Sequence, residues 1–356
     1  MQLPNTYTEC RARFRDEFES QGARLTAYAN PIEEDALYTD VAELGPADAT
    51  QALVVISGTH GVEGFCGSMC QRDALAHGLF SHLPARTKIV LIHALNPYGF
   101  ARIRRTNEDN VDLNRNFVDH RQPLPRNDGY DELHEALFPV SLTGFAAAQS
   151  SHALNAFAIS RGPATFQKAV SAGQYHHSTG LFYGGQRPTW SRRTLRAICR
   201  KHLGSTEIIW TLDYHTGLGP FAALELILTD SKGSPMHTRA ARVFGSDRVK
   251  VIGGPGADSV SSNVVGSIDE CFASTFEDAE LTYLALEYGI KPIPEVLDAL
   301  ITENWHHHRG DPSSAEYQAS KQKLLEVFWS PSPEWQSRVC EQSRQVVTAI
   351  LAHLSN

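Results

Sequence analysis

The sequence is poor in cysteine, has no long apolar run and carries no excess of basic residues. Six cysteines among 356 residues are too few and too scattered for a disulfide framework. No apolar stretch approaches the ~20 residues of a membrane span, and a formal net charge of −8 provides no basic surface for nucleic acid. The opening residues also lack the apolar core of a signal peptide. We therefore predict a cytoplasmic protein that binds neither membranes nor nucleic acid.

Apolar runs of strand length alternate with helical segments along the chain. With 42% hydrophobic and 20% charged residues, the composition is that of a globular protein with a substantial core. The alternation predicts an α/β fold in which helices cover a sheet. No repeat, low-complexity tract or linker divides the chain. We therefore expect one domain over residues 1–356, with a helical and loop excursion at about 120–205 and a helical C-terminal region from about 294.

Three of the apolar strands end in polar residues that are suited to chemistry. "ALVVISGTHGVE" leads into His60 and Glu63, "IIWTLDYHTGLG" carries Asp213 and His215, and "LTYLALEYGI" carries Glu287. In α/β proteins, functional side chains lie in the loops beyond the carboxyl edge of the sheet. We therefore expect these side chains to lie close together.

His60, Glu63 and His215 form a His₂Glu set, which with an open fourth position describes a catalytic zinc site. The prediction is one zinc ion per chain. Asp213 would point to the same side of its strand as His215, so it is a candidate hydrogen-bond partner for that imidazole. The H-x-x-E spacing alone is weak evidence, because the chain has 16 histidines.

A polar segment, "NPYGFARIRRTNEDNVDLNRNF", follows the second buried strand. Within it, Arg115 offers a planar guanidinium that can bind a carboxylate through two hydrogen bonds, and Asn114 adds a neutral donor. Three further arginines lie just upstream: Arg102, Arg104 and Arg105. Alternatively, the segment is a solvated loop whose arginines pair with its own aspartates, Asp109, Asp112 and Asp119.

Taken in order, the motifs "GTHGVEG", "NPYGF…RRTNEDNVDLNRNF", "LDYHTGLG" and "LALEYG" resemble those of the M14 zinc carboxypeptidases. More narrowly, they are similar to the DUF2817 branch, and they also resemble the aspartoacylase and succinylglutamate desuccinylase relatives. The motifs span roughly residues 50–290, and they are specific as a set rather than singly. The resemblance implies a three-layer α/β fold with a mixed central sheet flanked by helices.

The resemblance also implies roles for individual residues. His60 and Glu63 match the first two zinc ligands of that family, and His215 matches the third. Asn114 and Arg115 match the pair that binds the terminal carboxylate of the substrate.

Glu287 matches the general base of the family. An upstream arginine of the family polarises the carbonyl group of the bond to be cleaved; Arg105 is our first candidate for that role and Arg104 our second. The digestive members also have a tyrosine that closes over the substrate, and neither Tyr283 nor Tyr288 can be matched to it, because both lie too near Glu287.

The function implied by the resemblance is hydrolysis of an amide or peptide bond next to a free carboxylate. Two substrates stay open at this point, the C-terminal residues of peptides and N-acyl amino acids. A covered cleft would favour the N-acyl amino acids. The loop "FYGGQRPTWS" is a candidate for shaping the pocket through Tyr183, Arg187 and Trp190, or else a packing loop. A non-catalytic protein that binds a carboxylate ligand is the alternative of another class, and the sequence gives no indication of the oligomeric state.

Metal content tests the ligand set directly. Elemental analysis of protein purified without added metal should find about one zinc per chain in the wild type and none in His60→Ala, because a three-ligand site does not survive the loss of a ligand. His306→Ala, in a histidine run outside the set, is the matched control and should keep its zinc. Equal zinc in wild type and His60→Ala would contradict the assignment.

Overall fold

The computed structural model describes residues 6–32, 36–253, 259 and 264–355. The strands are β1 (Arg24–Ala29), β2 (Tyr38–Leu44), β3 (Gln51–Ile56), β4 (Thr87–His93), β5 (Ile208–Leu218), β6 (Leu224–Ser231), β7 (Val249–Gly253) and β8 (Glu280–Lys291). The helices are α1 (Tyr7–Ser20), α2 (Gly64–Ala76), α3 (Pro97–Ala101), α4 (Asp128–Leu137), α5 (Gly144–Arg161), α6 (Pro163–Ser171), α7 (Trp190–Leu203), α8 (Pro235–Phe244), α9 (Asp269–Thr275), α10 (Ile293–Arg309), α11 (Ala315–Phe328) and α12 (Pro333–Leu354).

The strands form one mixed eight-stranded sheet in the order β1-β2-β4-β3-β5-β8-β6-β7. Its four central strands, β4, β3, β5 and β8, run parallel to one another. The antiparallel pairings join β1 to β2, β2 to β4 and β6 to β8. Central parallel strands are covered on both faces, which is why they read as continuous apolar runs in the sequence.

Alternate residues of each strand pack into two separate cores, one on each face of the sheet. On β3, Leu53 and Val55 face a core that includes side chains of α1, α2, α8 and α12. Val54 and Ile56 face the opposite core, which includes side chains of α7 and α9. Because side chains alternate between the two faces of each strand, the sheet is the middle one of three layers.

The predicted excursion and the C-terminal region both contain long helices. The excursion holds α4 to α7, and the C-terminal region holds α10 to α12. Helices α8 and α9 lie outside both predicted helical regions. None of the helices in the described ranges combines the length and apolar character of a membrane span. The single-domain organisation stays a prediction.

Candidate metal centre

Glycine lets the chain turn sharply after β3 and present His60 and Glu63. Gly58 has a φ of +66°, a conformation that suits glycine. At Gly61, an added Cβ would lie 2.0 Å from the carbonyl carbon of Gly99, so a side chain has no room. Gly61–Glu63 then form one 3₁₀ turn. This bend places both polar side chains at the carboxyl edge of the sheet.

His60, Glu63 and His215 converge on one point in the interior, and all three are buried. The two imidazole Nδ1 atoms are 3.2 Å apart. Glu63 Oε1 lies 2.9 Å from His60 Nδ1, and Oε2 lies 3.0 Å from His215 Nδ1. Ligands about 2.0–2.1 Å from a tetrahedral zinc ion are themselves about 3.3 Å apart. The donor set therefore fits zinc in number, type and spacing.

The outer nitrogen of each imidazole faces a buried carboxylate. His60 Nε2 lies 3.1 Å from Asp112 Oδ1, and His215 Nε2 lies 2.9 Å from Asp213 Oδ2. Such carboxylates fix the ring orientation and the tautomer of metal-binding histidines. The predicted position of Asp213 beside His215 agrees with this geometry. Asp112 is a second such residue, which was not predicted from the sequence.

Hydroxyl groups hold the Asp213 carboxylate in place. Thr59 Oγ1 donates to Asp213 Oδ1 at 2.7 Å, and the Tyr283 hydroxyl donates to Oδ2 at 2.8 Å. Asp213 is thereby oriented from β8 as well as from the segment after β3. Tyr283 also lines the cavity.

The electrostatic potential at the centre favours positive charge. Burial raises the pKa of Glu63, but His60 and His215 outweigh this effect and hold the Glu63 pKa below its usual range. Burial lowers the pKa of His215, but Asp213 and Glu63 hold it well above its usual range. The potential that favours a proton on the ring also favours a divalent cation between the donors. Within the described part of the chain, this is the group of donors close enough to hold a metal ion.

Arg105 borders the metal centre, whereas Arg104 does not. Arg105 Nε donates to Asp112 Oδ2 at 2.9 Å, and its Nη1 lies 3.4 Å from Glu63 Oε1. Burial raises the pKa of the Asp112 carboxyl, but Arg105 and His60 hold it well below its usual range. Arg105 also lines the cavity in front of the centre.

The position of Arg104 corrects its candidacy for a site role. Its side chain is turned into the protein, where Nε donates to Glu303 Oε1 at 2.8 Å and Nη2 donates to Asn110 Oδ1 at 3.0 Å. Lys321 donates to the same Glu303 oxygen at 2.5 Å. Consecutive residues of this irregular segment point in different directions, so Arg104 ties the segment to α10 while Arg105 reaches the cavity.

Asn114 and Arg115 line the same cavity. The Arg115 guanidinium is held by backbone carbonyls: Nε and Nη2 donate to Ser171 at 3.2 and 2.5 Å, and Nη1 donates to Asn114 at 3.0 Å. A guanidinium has five N–H donors, so two are left after these three bonds within the described structure. Asn114 Oδ1 accepts from the backbone N–H of Ile268 at 3.1 Å. The pair is therefore fixed in position and can hold a carboxylate.

Glu287 lies on β8 directly opposite His215 on β5. Paired residues of neighbouring strands project to the same face of the sheet, and both side chains line the cavity. The backbone N–H of Leu218 donates to Glu287 Oε1 at 2.9 Å. Burial, together with the neighbouring Glu63 carboxylate, raises the pKa of Glu287 to about 8. Glu287 is thus held in place at the cavity, beside the donor set.

The loop "FYGGQRPTWS" contributes a residue to the cavity other than those predicted. Phe182 lines the cavity, with its ring centroid 5.2 Å from the Arg105 guanidinium carbon and 5.6 Å from that of Arg115. Its φ of +54° is unusual for a residue other than glycine. Tyr183, Arg187 and Trp190 were predicted to line the cavity. They are not among the described residues that line it.

A family model described as "Protein of unknown function (DUF2817)" matches residues 4–342. The chain belongs to the DUF2817 family. This result confirms the membership predicted from the four motifs. A search of curated proteins by sequence found no match for this DUF2817 chain.

Among solved structures, the chain is similar to bovine thrombin-activatable fibrinolysis inhibitor in complex with tick carboxypeptidase inhibitor, at 12% identity, over 99% of this chain and 97% of that one, with a TM-score of 0.53. Carboxypeptidase A from Helicoverpa armigera is 11% identical over 96% of this chain and 74% of that one, with a TM-score of 0.46. Succinylglutamate desuccinylase from Chromobacterium violaceum is 12% identical over 93% of this chain and 76% of that one, with a TM-score of 0.39. At such identities the likeness concerns the fold, and the first structure confirms the predicted carboxypeptidase-like α/β fold.

The carboxylate of Asp112 should strengthen metal binding without touching the metal. We expect Asp112→Asn to lower zinc affinity about 10- to 100-fold, because the substitution removes the charge that orients and polarises His60. Competition for zinc with a chelator of known affinity measures the change. Asp109→Asn, an exposed aspartate of the same loop, is the matched control. Unchanged affinity in Asp112→Asn would contradict the role.

Proposed function

We propose that this chain is a zinc-dependent hydrolase that cleaves an amide or peptide bond next to a free carboxylate. The observation that carries the proposal is one cavity with three parts: the donors His60, Glu63 and His215, the carboxylate of Glu287, and the Asn114–Arg115 pair. Asp112 and Asp213 serve the imidazoles, whereas Glu287 faces the cavity and has no described hydrogen bond to the donors. The cytoplasmic location and one zinc ion per chain belong to the same proposal.

His60, Glu63 and His215 would hold the metal, and the cavity leaves one side of the donor set open to a substrate. When bound there, zinc supplies a Lewis acid and lowers the pKa of a water molecule toward ~7. Asp112 and Asp213 keep both imidazoles turned with Nδ1 toward the metal position.

Glu287 is the proposed general base. One of its oxygens is held by the Leu218 N–H, and the carboxylate faces the cavity, where it can take a proton from the attacking water. It then returns the proton to the nitrogen that leaves as the amide bond breaks. Such proton transfer contributes roughly 10²- to 10⁴-fold to the rate.

Arg105 is the proposed stabiliser of the negative charge that develops on the carbonyl oxygen. Its guanidinium is held against Asp112 and Glu63 at the edge of the donor set. A donor that is already in place stabilises the transition state without reorganisation. Asn114 and Arg115 bind the substrate carboxylate and so place the neighbouring amide at the metal.

Replacing Glu287 by glutamine separates metal binding from chemistry. We expect Glu287→Gln to keep its zinc and to lose about 10²- to 10⁴-fold in turnover, because glutamine can accept the Leu218 hydrogen bond but cannot carry the proton. The assay measures amine release from a panel of N-acyl amino acids and short peptides. Glu316→Gln, at an exposed position on α11, should keep full activity. A wild-type rate in Glu287→Gln, or no activity of the zinc-loaded wild type on the whole panel, would contradict the proposal.

Arg115 should determine the preference for a carboxylate. The rates on each substrate and on its neutral carboxamide are compared in the wild type and in Arg115→Met. We expect the preference for the free acid to fall about 10- to 100-fold in the variant, because charged hydrogen bonds to the carboxylate are lost. Arg121→Met, an exposed arginine, is the control. Equal losses on both members of the pair would show that Arg115 does not recognise the carboxylate.

A further inference from the structure

The cavity in front of the metal centre is much larger than the hydrolytic groups require. Its volume is about 730 Å³, in the range of sites that enclose a whole drug-sized ligand. The donor set, Glu287 and the Asn114–Arg115 pair occupy only part of its wall. The remaining wall comes mainly from the excursion helices α5 and α6 and from α10.

Part of this remaining wall is apolar. The half-buried side chains of Leu297 and Ile301 on α10 and of Leu154 on α5 line it. Phe328, at the end of α11, also lines it, and its carbonyl accepts a hydrogen bond from Thr216 Oγ1 at 2.6 Å. The apolar wall is thus attached to the residue that follows the metal-binding His215.

Helix α5 borders the cavity without filling it. Its cavity-lining residues are Ala147, Ser150, Ser151, Leu154, Asn155 and Ala158, which recur at the helical spacing of three to four residues. Four of these six side chains are alanine or serine, so they leave open volume beside the helix. Ile159, at the edge of this face, is 86% exposed and is not among the residues that line the cavity.

The carboxylate-binding pair and α10 reach the cavity from different elements. Arg115 is bonded to Ser171, the last residue of α6, and Asn114 to Ile268, just before α9, whereas α10 follows β8, the strand of Glu287, and contacts β5. Leu218 begins the apolar wall and donates its N–H to Glu287. A substrate with its carboxylate at Arg115 and its amide carbonyl at the metal would therefore extend its acyl group along α10.

We propose that the substrate is an N-acyl amino acid with a long or bulky apolar acyl group, and that the excursion helices and α10 form the acyl pocket. This proposal rests on the proposed hydrolase function and names its substrate class. Hydrolysis adds water across the amide: the C–N bond breaks, the acyl carbon gains a hydroxyl, and the nitrogen gains a proton. The products are a fatty or other apolar carboxylic acid and a free amino acid.

The test uses the zinc-loaded full chain and two series of substrates. The first series varies the acyl group at constant amino acid: N-acetylglycine, N-hexanoylglycine and N-decanoylglycine. The second varies the amino acid at constant acyl group: N-acetylalanine, N-acetylleucine and N-acetylphenylalanine. Release of the amino acid gives kcat/KM for each compound.

We expect kcat/KM to rise in the acyl series by roughly fourfold for each methylene buried, until the pocket is full. Leu154→Gln and Leu297→Gln should each reduce this dependence on chain length, so that kcat/KM falls more for N-decanoylglycine than for N-acetylglycine. Both side chains are half-buried, so two independent variants guard against misfolding of one. Ile159→Gln, at an exposed α5 position outside the cavity lining, is the matched control and should behave like the wild type.

The outcomes separate this proposal from the proposed function. Hydrolysis that does not depend on acyl length, or that rises only in the amino-acid series, would overturn the acyl pocket and leave the hydrolase intact. Absence of hydrolysis in both series would contradict the hydrolase. In that case, calorimetric titration with N-decanoylglycine tests the pocket alone: tighter binding than N-acetylglycine, lost in Leu154→Gln, supports it, and equal binding overturns it.

Discussion

Parallel strands that are neighbours in one sheet present their carboxyl ends at the same edge, and β3, β5 and β8 are such neighbours. The bend after β3 carries His60 and Glu63, β5 carries His215, and β8 carries Glu287 opposite it. Residues from three distant parts of the chain therefore meet at one level. A shift of one residue in the β5–β8 register would turn Glu287 away from His215, because side chains alternate between faces.

The strand edge also concentrates charge in the interior. Asp112 and Asp213 approach the two imidazoles from outside the donor set, and Glu63 completes it from within. So many carboxylates are tolerated in a buried site only when positive charge compensates them. Arg105 provides part of that charge, and a divalent metal ion would provide the remainder.

Arg104 and Arg105 are consecutive in the sequence but have different partners in the structure. Arg104 is bound by Glu303, which also pairs with Lys321, and it fixes the segment "RRTNEDNVDLNRNF" against α10. Arg105 points to the metal centre. The first residue stabilises the platform from which the second acts. Because this segment has little regular secondary structure, such side-chain bonds fix its course.

The sequence by itself determined the elements whose signal is local. The apolar runs marked the central strands, the polar residues at their ends marked His60, Glu63, Asp213 and His215, and the four spaced motifs marked the family. Asp112 stands in the motif "DLNR", two residues before Asn114. Its place beside His60 was not predicted, because a short polar loop has no sequence periodicity that indicates the direction of a side chain.

Tertiary structure alone decided the choice between Arg104 and Arg105, the place of Phe182 at the cavity, and the apolar wall formed by α5, α6 and α10. The helices of that wall belong to distant parts of the sequence. The sequence pattern of an apolar helix face is the same whether the face packs into a core or borders a cavity. Only the packing of one helix against another distinguishes the two, since a cavity is the volume that side chains from separate elements leave unfilled.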